Sequence, residues 1–448
     1  MSKLQDTIIQ YLEQNQDKLL QGWPDFVQKE RNEAILRFKN KGFPSIKDEK
    51  WRKTKLKDFL NRYFHPVIAS LVKQPEPITE CLIPNLETKN VNLINGYFVG
   101  KDLLEELPNG VIMGSLKEAL KKYPELIAEY FNRLVRPQNN PLNDLNTALF
   151  EDGFFLFVPE NVKNFKIQIT HRLDAPVDAL INTRNLIIAE AGSEITLVQC
   201  DDSNNHRAHF ATYLSEVFAK ADAKINWYKY QNINNNSALF SNSYYEVADK
   251  AQFYTNFFEL NGQLLRNEQY ADIIGPDAKV DLYGLYLTDK KQQADNVIFV
   301  AHSSEKSYSN QKFKGILDDS GKGFFNGQIL VKKDAQQTNA YQKNDNILLT
   351  DKARISSQPF LEIYADDVSC SHGSTTGQID EEALFYIRQR GIGKRDAQLL
   401  QLYAFAGEII DAIELTELIE PTKDLVKKRL NGELDDCEDC ILQCAVKS

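Results

Sequence analysis

The chain has 448 residues with 53 basic and 63 acidic side chains, which gives a formal charge of −10. An acidic chain lacks the basic footprint of a generic nucleic-acid binder, and six cysteines are too few for a disulfide framework. The sequence contains no apolar run of membrane-spanning length, and its first residues lack the apolar segment of a signal peptide. We therefore expect a cytoplasmic protein that binds neither nucleic acid nor membrane.

Residues 1–150 are predicted to form a mainly helical region, since Leu4, Ile8 and Leu12 keep the spacing of an amphipathic helix face. Between Lys41 and Arg62 stand eight basic residues against three acidic ones. This basic run could steer an acidic partner, or it could be a solvated helix face.

Residues 151–379 are predicted to form a β-structured core, because apolar and polar residues alternate there. A corner made of a tight turn, a small residue, a polar residue and a strand recurs at these small residues: Ser193, Ala223, Ala251 and Ala278. The steps between them are 30, 28 and 27 residues, and Ala353 repeats the corner 75 residues later, close to three more steps. A loose period near 28 without intervening helices predicts a β-helix, or β-solenoid.

Residues 380–448 are predicted to be helical again. Asp380 is a good N-cap for the segment that follows it. Helices are expected to run to Ile419 and to resume at Thr422, after a break at Pro421. The predicted architecture is therefore mainly β, with a solenoid between two α-helical regions.

The sequence contains few candidate catalytic, nucleotide-binding or metal-binding residues. There is no nucleotide-binding G-x-x-x-x-G-K-[ST] motif, so the chain by itself is not expected to hydrolyse ATP. In an extended strand Cys370 and His372 would project to the same face, where a thiolate and an imidazole could together hold iron, zinc or a sulfur species. The alternative is a small buried cysteine beside a histidine that caps the next turn.

Cys437, Cys440 and Cys444 form a second cluster. On a helix all three fall on one face, which is typical of an amphipathic seam packed with small apolar side chains. About 10 Å of helix rise would separate the first from the third, which is too far for one ion. These cysteines are therefore weak metal candidates that would need an uncoiled tail.

A set of motifs between residues 335 and 392 resembles the SufB/SufD family, the scaffold subunits of the SUF iron–sulfur cluster assembly machinery. It includes the Cys-Ser-His-Gly sequence at 370–373, and it covers these ranges: 335–340, 361–368, 370–377 and 380–392. SufB-type chains carry a cysteine near residues 342–344 and a glutamate where His372 stands. Neither is present here, so the chain is more similar to the SufD side of the family.

The resemblance implies a right-handed parallel β-helix between helical ends and a scaffold that is not itself an enzyme. It implies a heterodimer with a SufB-like subunit, in which His372 contributes to the nascent cluster and the role of Cys370 is less defined. It also implies an ATPase partner of the SufC type docked on the C-terminal helical region, at these residues: Phe385, Arg388, Arg390 and Gly391. No tightly bound cofactor is expected in the isolated chain, which could form a homodimer, and the iron–sulfur cluster would be transient in the complex.

Two other functions remain open from the sequence. A β-helix enzyme acting on polysaccharides would need carboxylates or basic groups aligned along one solenoid face, and usually a signal peptide. An autonomous iron–sulfur protein would use Cys437, Cys440 and Cys444.

Overall fold

A computed structural model describes residues 2–67, 83, 86–135 and 140–434. The helices are α1 (Lys3–Leu20), α2 (Asp25–Lys41), α3 (Lys57–Leu60), α4 (Leu116–Lys122), α5 (Pro124–Ala128), α6 (Pro141–Leu149), α7 (Glu381–Gln389), α8 (Lys394–Ile410) and α9 (Thr416–Asn431), with a 3-10 turn at Glu49–Trp51. The strands before the solenoid are β1 (His65–Pro66), β2 (Lys89–Ile94), β3 (Tyr97–Val99), β4 (Leu104–Glu106) and β5 (Ile112–Ser115).

The solenoid is formed by a series of strands of similar length. They are β6 (Phe154–Val158), β7 (Phe165–Leu173), β8 (Ala179–Ala189), β9 (Glu194–Ser203), β10 (His209–Ala219), β11 (Lys224–Asn232), β12 (Ala238–Val247), β13 (Gln252–Asn261), β14 (Leu264–Ile273), β15 (Lys279–Thr288), β16 (Gln293–His302), β17 (Tyr308–Leu317), β18 (Lys322–Val331), β19 (Thr338–Leu348), β20 (Arg354–Ile363) and β21 (Val368–Gly377).

Successive strands of the solenoid alternate between two sheets. From β6 onward the even strands pair in parallel in one sheet, which we call the even sheet, and the odd strands from β7 pair in parallel in the other, the odd sheet. Apolar side chains from the inner faces of both sheets fill the lumen, for example Leu197, Trp227 and Phe325. The predicted β-solenoid between helical ends is confirmed.

The repeated corner has a simple physical cause. The residue before each of the first four small residues takes a left-handed conformation, as Gly192 (φ 65°) and Asp222 (φ 58°) do. The chain turns there toward the next odd strand, and the small residue, Ser193 or Ala223, is fully buried inside the turn. The Gly192 amide donates to the Ala221 carbonyl one turn along the solenoid (2.8 Å), so the corners also bind the turns to one another.

The extension of this period to Ala353 is wrong. Ala353 is a buried corner residue, but it precedes β20 of the even sheet. In the odd sheet Lys279 is in register with Tyr308, which in turn pairs with Asn339. The residue before Ala353 is not left-handed, unlike those before the four earlier small residues. The similar residue types at these corners therefore do not show which sheet follows.

The helical regions pack on the outer faces of the two sheets. Helices α1, α2, α3 and α6 contribute to a buried cluster with even-sheet residues such as Phe210 and Phe240. Helices α8 and α9 cover the odd sheet, where Ile409 and Leu418 pack with Tyr228 and Phe258. Each sheet is thus buried on both sides over much of its length.

Two predictions about the last helices have different outcomes. Asp380 caps α7 as expected, since its carboxylate accepts from the amides of Glu382 and Ala383. The predicted break at Pro421 is wrong, because Pro421 lies inside α9. It stands near the start of that helix, where its missing N–H removes one bond, and the buried Leu425 holds the helix on the sheet.

Candidate functional site

The last turn of the solenoid is formed by β20 and β21. Each is the terminal strand of its sheet, with β18 and β19 as their respective neighbours. Among the described residues no strand pairs with the outer edge of either. The backbone groups of both edges therefore face outward from one end of the solenoid, which we call the open end.

Cys370 and His372 lie on β21 and share its lumen-facing side. Their register partners on β19 are Ala340 and Gln342, both buried, and the Gln342 amide donates to Gln311 inside the solenoid (2.6 Å). At the open end no further turn of the described solenoid covers this row, and His372 is exposed while Cys370 is half-buried. The structure thus brings the two predicted site residues together on one face at the mouth of the lumen.

The surroundings of Cys370 keep its thiol protonated. Burial raises the pKa of the Cys370 thiol, against a smaller lowering by a hydrogen bond with the backbone of Ala340. Cys370 also packs at the edge of a small apolar cluster that contains Ile329 and Val331. The site therefore combines a neutral thiol with an accessible imidazole.

These two residues cannot by themselves complete a metal centre. A zinc or iron–sulfur site usually takes four protein ligands. Within the described ranges, no group of three or more His, Cys, Asp or Glu side chains is placed to hold a metal ion. An iron–sulfur species at the open end would need ligands from elsewhere.

The same end of the solenoid exposes apolar side chains. Phe360 on β20 is 55% exposed, and Ile363 and Tyr364 at its end are 40% and 60% exposed. Large apolar groups beside unpaired strand edges are typical of a surface that is covered by another protein.

A groove of about 630 Å³ lies on the outer side of β21, next to the C-terminal helices. Glu408 of α8 lines it and forms ion pairs with Lys312 (2.7 Å) and Lys314 (2.9 Å) of β17. Hydrogen bonds from these lysines lower the pKa of Glu408 to about 2. The pairs fix α8 to the sheet that carries His372. Sequence reasoning missed them, and the alternating lysines of β17 were the available signal.

Of the residues predicted to bind an ATPase, Phe385 and Arg388 lie on α7, and Arg390 and Gly391 lie in the turn between α7 and α8. Phe385, Arg388, Arg390 and Gly391 are all exposed. Phe385 is 61% exposed, although α7 buries Leu384. This surface combines aromatic and cationic groups, the residue types that are enriched in protein interfaces.

Two further predictions have these outcomes. Cys437, Cys440 and Cys444 lie outside the described residues. In the described part of the chain, no helix is long and apolar enough to cross a membrane.

The fold and the motif together define a class of protein: a β-solenoid with helical ends and a Cys-x-His pair at its open end. A family model described as the SufBD core domain of SUF system FeS cluster assembly matches residues 171–405, more than half of the chain. A second, described as the SufBD protein N-terminal region, matches residues 2–169. The chain therefore belongs to the SufBD family.

Relatives agree with the predicted resemblance, which is confirmed. An iron–sulfur cluster assembly SufBD family protein of Synechocystis is 27% identical over 89% of this chain and 87% of its own length. The iron–sulfur cluster assembly protein SufD of Escherichia coli is 27% identical over 87% of this chain and 90% of its own. The protein is thus a SufD homologue in iron–sulfur cluster assembly.

Proposed function

We propose that this chain is a non-catalytic scaffold subunit that pairs with a SufB-like subunit through its open end and with a SufC-like ATPase through its C-terminal helices. His372 contributes to a nascent iron–sulfur cluster at the interface of the two scaffold subunits, with Cys370 beside it. The cluster is cargo of the complex, and the isolated chain holds no tightly bound cofactor.

The observation that carries the proposal is the coincidence of three features at the open end. There β20 and β21 are the last strands of their sheets, and no strand that the structure describes pairs with their outer edges. Phe360 and Tyr364 are exposed beside them. Cys370 and His372 stand at the same end, on the row that faces the lumen. A partner that covers the strand edges would meet the two ligand-type side chains at the same time.

The chemistry of the pair suits a half-site. His372 offers a borderline nitrogen ligand, while the neutral thiol of Cys370 would need to lose its proton before it could bind iron. Thiolates supplied by the partner would complete the set of ligands. Separation of the two subunits would then release the cluster, which is useful in a scaffold.

The contacts of α8 support a mechanical role for the C-terminal helices. Exposed groups on α7 would receive the ATPase, and the Glu408 ion pairs connect α8 to β17. A movement of these helices driven by ATP hydrolysis on the partner would reach the sheet of His372 through that contact. The chain can therefore take part in an ATP-driven process without a nucleotide-binding motif of its own.

The direct test is cluster reconstitution on the complete complex with His372→Ala. We expect the iron and sulfide content to fall at least tenfold while the complex still assembles. His206→Ala is the matched control, because His206 is an exposed histidine in the loop between β9 and β10. Unchanged iron and sulfide loading of the His372→Ala complex would remove His372 from the site.

Partner choice is tested separately by co-expression with SufB-like and SufC-like chains. We expect one heterotrimeric or larger complex, in which Phe385→Ala with Arg388→Ala removes the ATPase and leaves the SufB-like chain bound. Loss of both partners, or of neither, would contradict the assignment of the C-terminal helices.

A further inference from the structure

A row of polar side chains runs along the lumen of the solenoid and ends at His372. Gln311 on β17, Gln342 on β19 and His372 on β21 occupy the same register position on successive strands of the odd sheet. Both glutamines are buried. Neighbouring strands lie about 4.8 Å apart, so each side chain of the row is the direct neighbour of the next.

The hydrogen bonding of this row has a direction. The Gln342 side-chain amide donates through Nε2 to Oε1 of Gln311 (2.6 Å). Oε1 of Gln342 is buried, and among the described residues it has no hydrogen-bond partner. Stacked in-register strands often carry ladders of such side-chain amides, in which each amide bonds to the next one along. Since Nε2 of Gln342 already points to Gln311, its free oxygen is the group that can bond to the next position, which is His372.

The opposite sheet leaves room for the Gln342 amide. Gly327 of β18 lies against it, and a Cβ atom at Gly327 would come too close to the Gln342 side chain, whose Nε2, Cδ and Oε1 would be its three nearest heavy atoms. The amide is therefore held between Gln311 and the backbone of Gly327. This arrangement fixes the position of the free oxygen.

The free oxygen of Gln342 and the ring of His372 are complementary. A buried oxygen without a partner costs free energy, which a hydrogen bond from the adjacent imidazole would remove. His372 is exposed on a terminal strand, so packing does not prevent its ring from turning toward Gln342. A neutral imidazole has one N–H and one nitrogen with a free lone pair, and the partner of the N–H decides which nitrogen is free for a metal.

We propose that Gln342 is a positioning residue for His372: its Oε1 accepts from one ring N–H of His372 and leaves the other ring nitrogen free to bind iron. This inference rests on the proposed function of His372 and adds the residue that fixes the tautomer and direction of its ring. Gln342 itself does not touch iron or sulfide. Because Gln311 and Gly327 hold the amide of Gln342, the contact forms in the isolated chain before a partner binds.

The tautomer of His372 in the isolated full chain tests the contact directly. It is read from the ¹⁵N NMR shifts of the two ring nitrogens at about pH 9, where free histidine is neutral. The signals are assigned by their loss in His372→Ala. We expect one protonated and one unprotonated nitrogen in the wild-type chain. Gln342→Met keeps the length of the side chain but has no oxygen, so its signals should be averages over both tautomers.

A conservative variant should restore the single tautomer. Gln342→Glu keeps an acceptor for His372. Nε2 of Gln311, which has no partner in the described part of the chain, can donate to the second carboxylate oxygen.

Two further variants separate this contact from a general disturbance of the open end. Gly327→Ala leaves Gln342 in place, but its methyl group displaces the Gln342 amide, and the backbone at Gly327 is not left-handed, so alanine can adopt it. We expect the same averaged signals as in Gln342→Met. Gln328→Met is the matched control, because Gln328 is a half-buried glutamine on the outer face of β18 that donates to Glu362 (3.2 Å). It should leave the tautomer unchanged. A tautomer that is the same in the wild-type and Gln342→Met chains would overturn the proposal.

Cluster reconstitution on the complete complex tests what the contact does. Loss of the hydrogen-bond partner of a metal ligand typically weakens metal binding about tenfold or more. Gln342→Met should therefore lower the iron and sulfide content about tenfold while the complex still assembles, and Gln342→Glu should keep most of it. Content that falls with His372→Ala but not with Gln342→Met would keep His372 in the site and overturn the role of Gln342. Unchanged content in both variants would overturn the proposed function of His372 as well.

Discussion

The two ends of the solenoid are built differently. At the N-terminal end β7 pairs with β2, and β6 pairs with the antiparallel β5, so short strands cover the edges of both sheets. At the other end β20 and β21 have no outer neighbour among the described residues. An open strand edge invites pairing with other chains, and proteins usually protect it. This difference between the two ends supports the proposal that the open end is where a partner binds.

The difference extends to the side chains. The covered part of the solenoid buries charged groups in hydrogen-bonded pairs, such as Arg184 with Glu216. At the open end polar and apolar side chains alike reach solvent, as His372 and Phe360 do. Substitutions in the covered part should therefore change the stability of the chain, whereas those at the open end should change its association.

The largest effect is expected for Glu216→Gln. Glu216 binds Arg184 at 2.5 Å, with both side chains at most 1% exposed, and it accepts from the backbone amides of Asn132 and Leu134 (2.8 Å each). Loss of its charge leaves the guanidinium buried without an anion, at a cost of about 3–5 kcal/mol. The measurement is the free energy of unfolding in urea.

Glu362→Gln at the open end is the matched control for that measurement. Glu362 accepts from Gln328 (3.2 Å) and Tyr364 (2.5 Å) at the surface of β20. We expect its unfolding free energy to change by no more than about 0.5 kcal/mol. Similar losses for Glu216→Gln and Glu362→Gln would erase the distinction between the two ends.

A second effect on stability should depend on pH. His171 is fully buried in β7, where burial lowers its pKa to about 4 and the charge of Asp201 only partly opposes this. The unfolded chain binds a proton at this residue below about pH 6.5, whereas the folded chain does not until about pH 4. The contribution of His171 to stability is therefore present above pH 6.5 and is lost as the pH falls toward 4.

Removal of the imidazole should remove this dependence. We compare the free energy of unfolding of His171→Phe with that of the wild-type chain. Between pH 7.5 and pH 5 this difference should shift by about 2 kcal/mol in favour of the variant. Phenylalanine keeps the ring beside Tyr213, whose centroid lies 4.7 Å from that of His171. Urea unfolding at both pH values measures the gain, and parallel stability curves for the two proteins would show that His171 does not titrate on unfolding.

Features of the fold and the site that depend on residues close together in the sequence could be predicted, whereas those that depend on distant residues could not. The corner residues, such as Ala223 and Ala251, revealed the solenoid because the same local turn recurs at every step. The motif around His372 revealed the family. The corner at Ala353 was expected to continue the same period, but it precedes a strand of the even sheet, and the sequence pattern of a corner does not show which sheet follows. The break at Pro421 was wrong because packing of α9 on the odd sheet outweighs one missing hydrogen bond.

Contacts between distant segments could not be predicted in this way. Glu408 and Lys312 are 96 residues apart, and the alternating lysines of β17 do not show by themselves which helix lies over them. In the described part of the chain β20 has no outer neighbour, which depends on the order of all the strands and cannot be inferred from a local sequence pattern. Cys370 and His372 could thus be named as candidates from the sequence, but the reason for the exposure of His372 could not be inferred from it.

Association through the open end should be sensitive to Phe360→Lys. The side chain of Phe360 is 55% exposed on the outer face of β20, so a lysine there fits the folded chain. Its charge would be buried by a partner that covers the edge, and lysines are a common means of blocking edge pairing. We expect the affinity for a SufB-like subunit to fall at least tenfold, measured by titration calorimetry. Leu36→Lys, at an exposed position of α2, should leave the affinity unchanged.

The smallest effect on stability is expected for His372→Ala. The size of this effect shows whether His372 serves the site or stabilises the fold. His372 is exposed and lies on a terminal strand, so its truncation removes little packing, and the free energy of unfolding should change by no more than about 0.5 kcal/mol. Ala340→Leu is the informative comparison, because Ala340 is buried on the same side of the adjoining strand. Overpacking there should cost about 1–3 kcal/mol. If His372→Ala were as destabilising as Ala340→Leu, His372 would be a packing residue, and the open end would need another explanation.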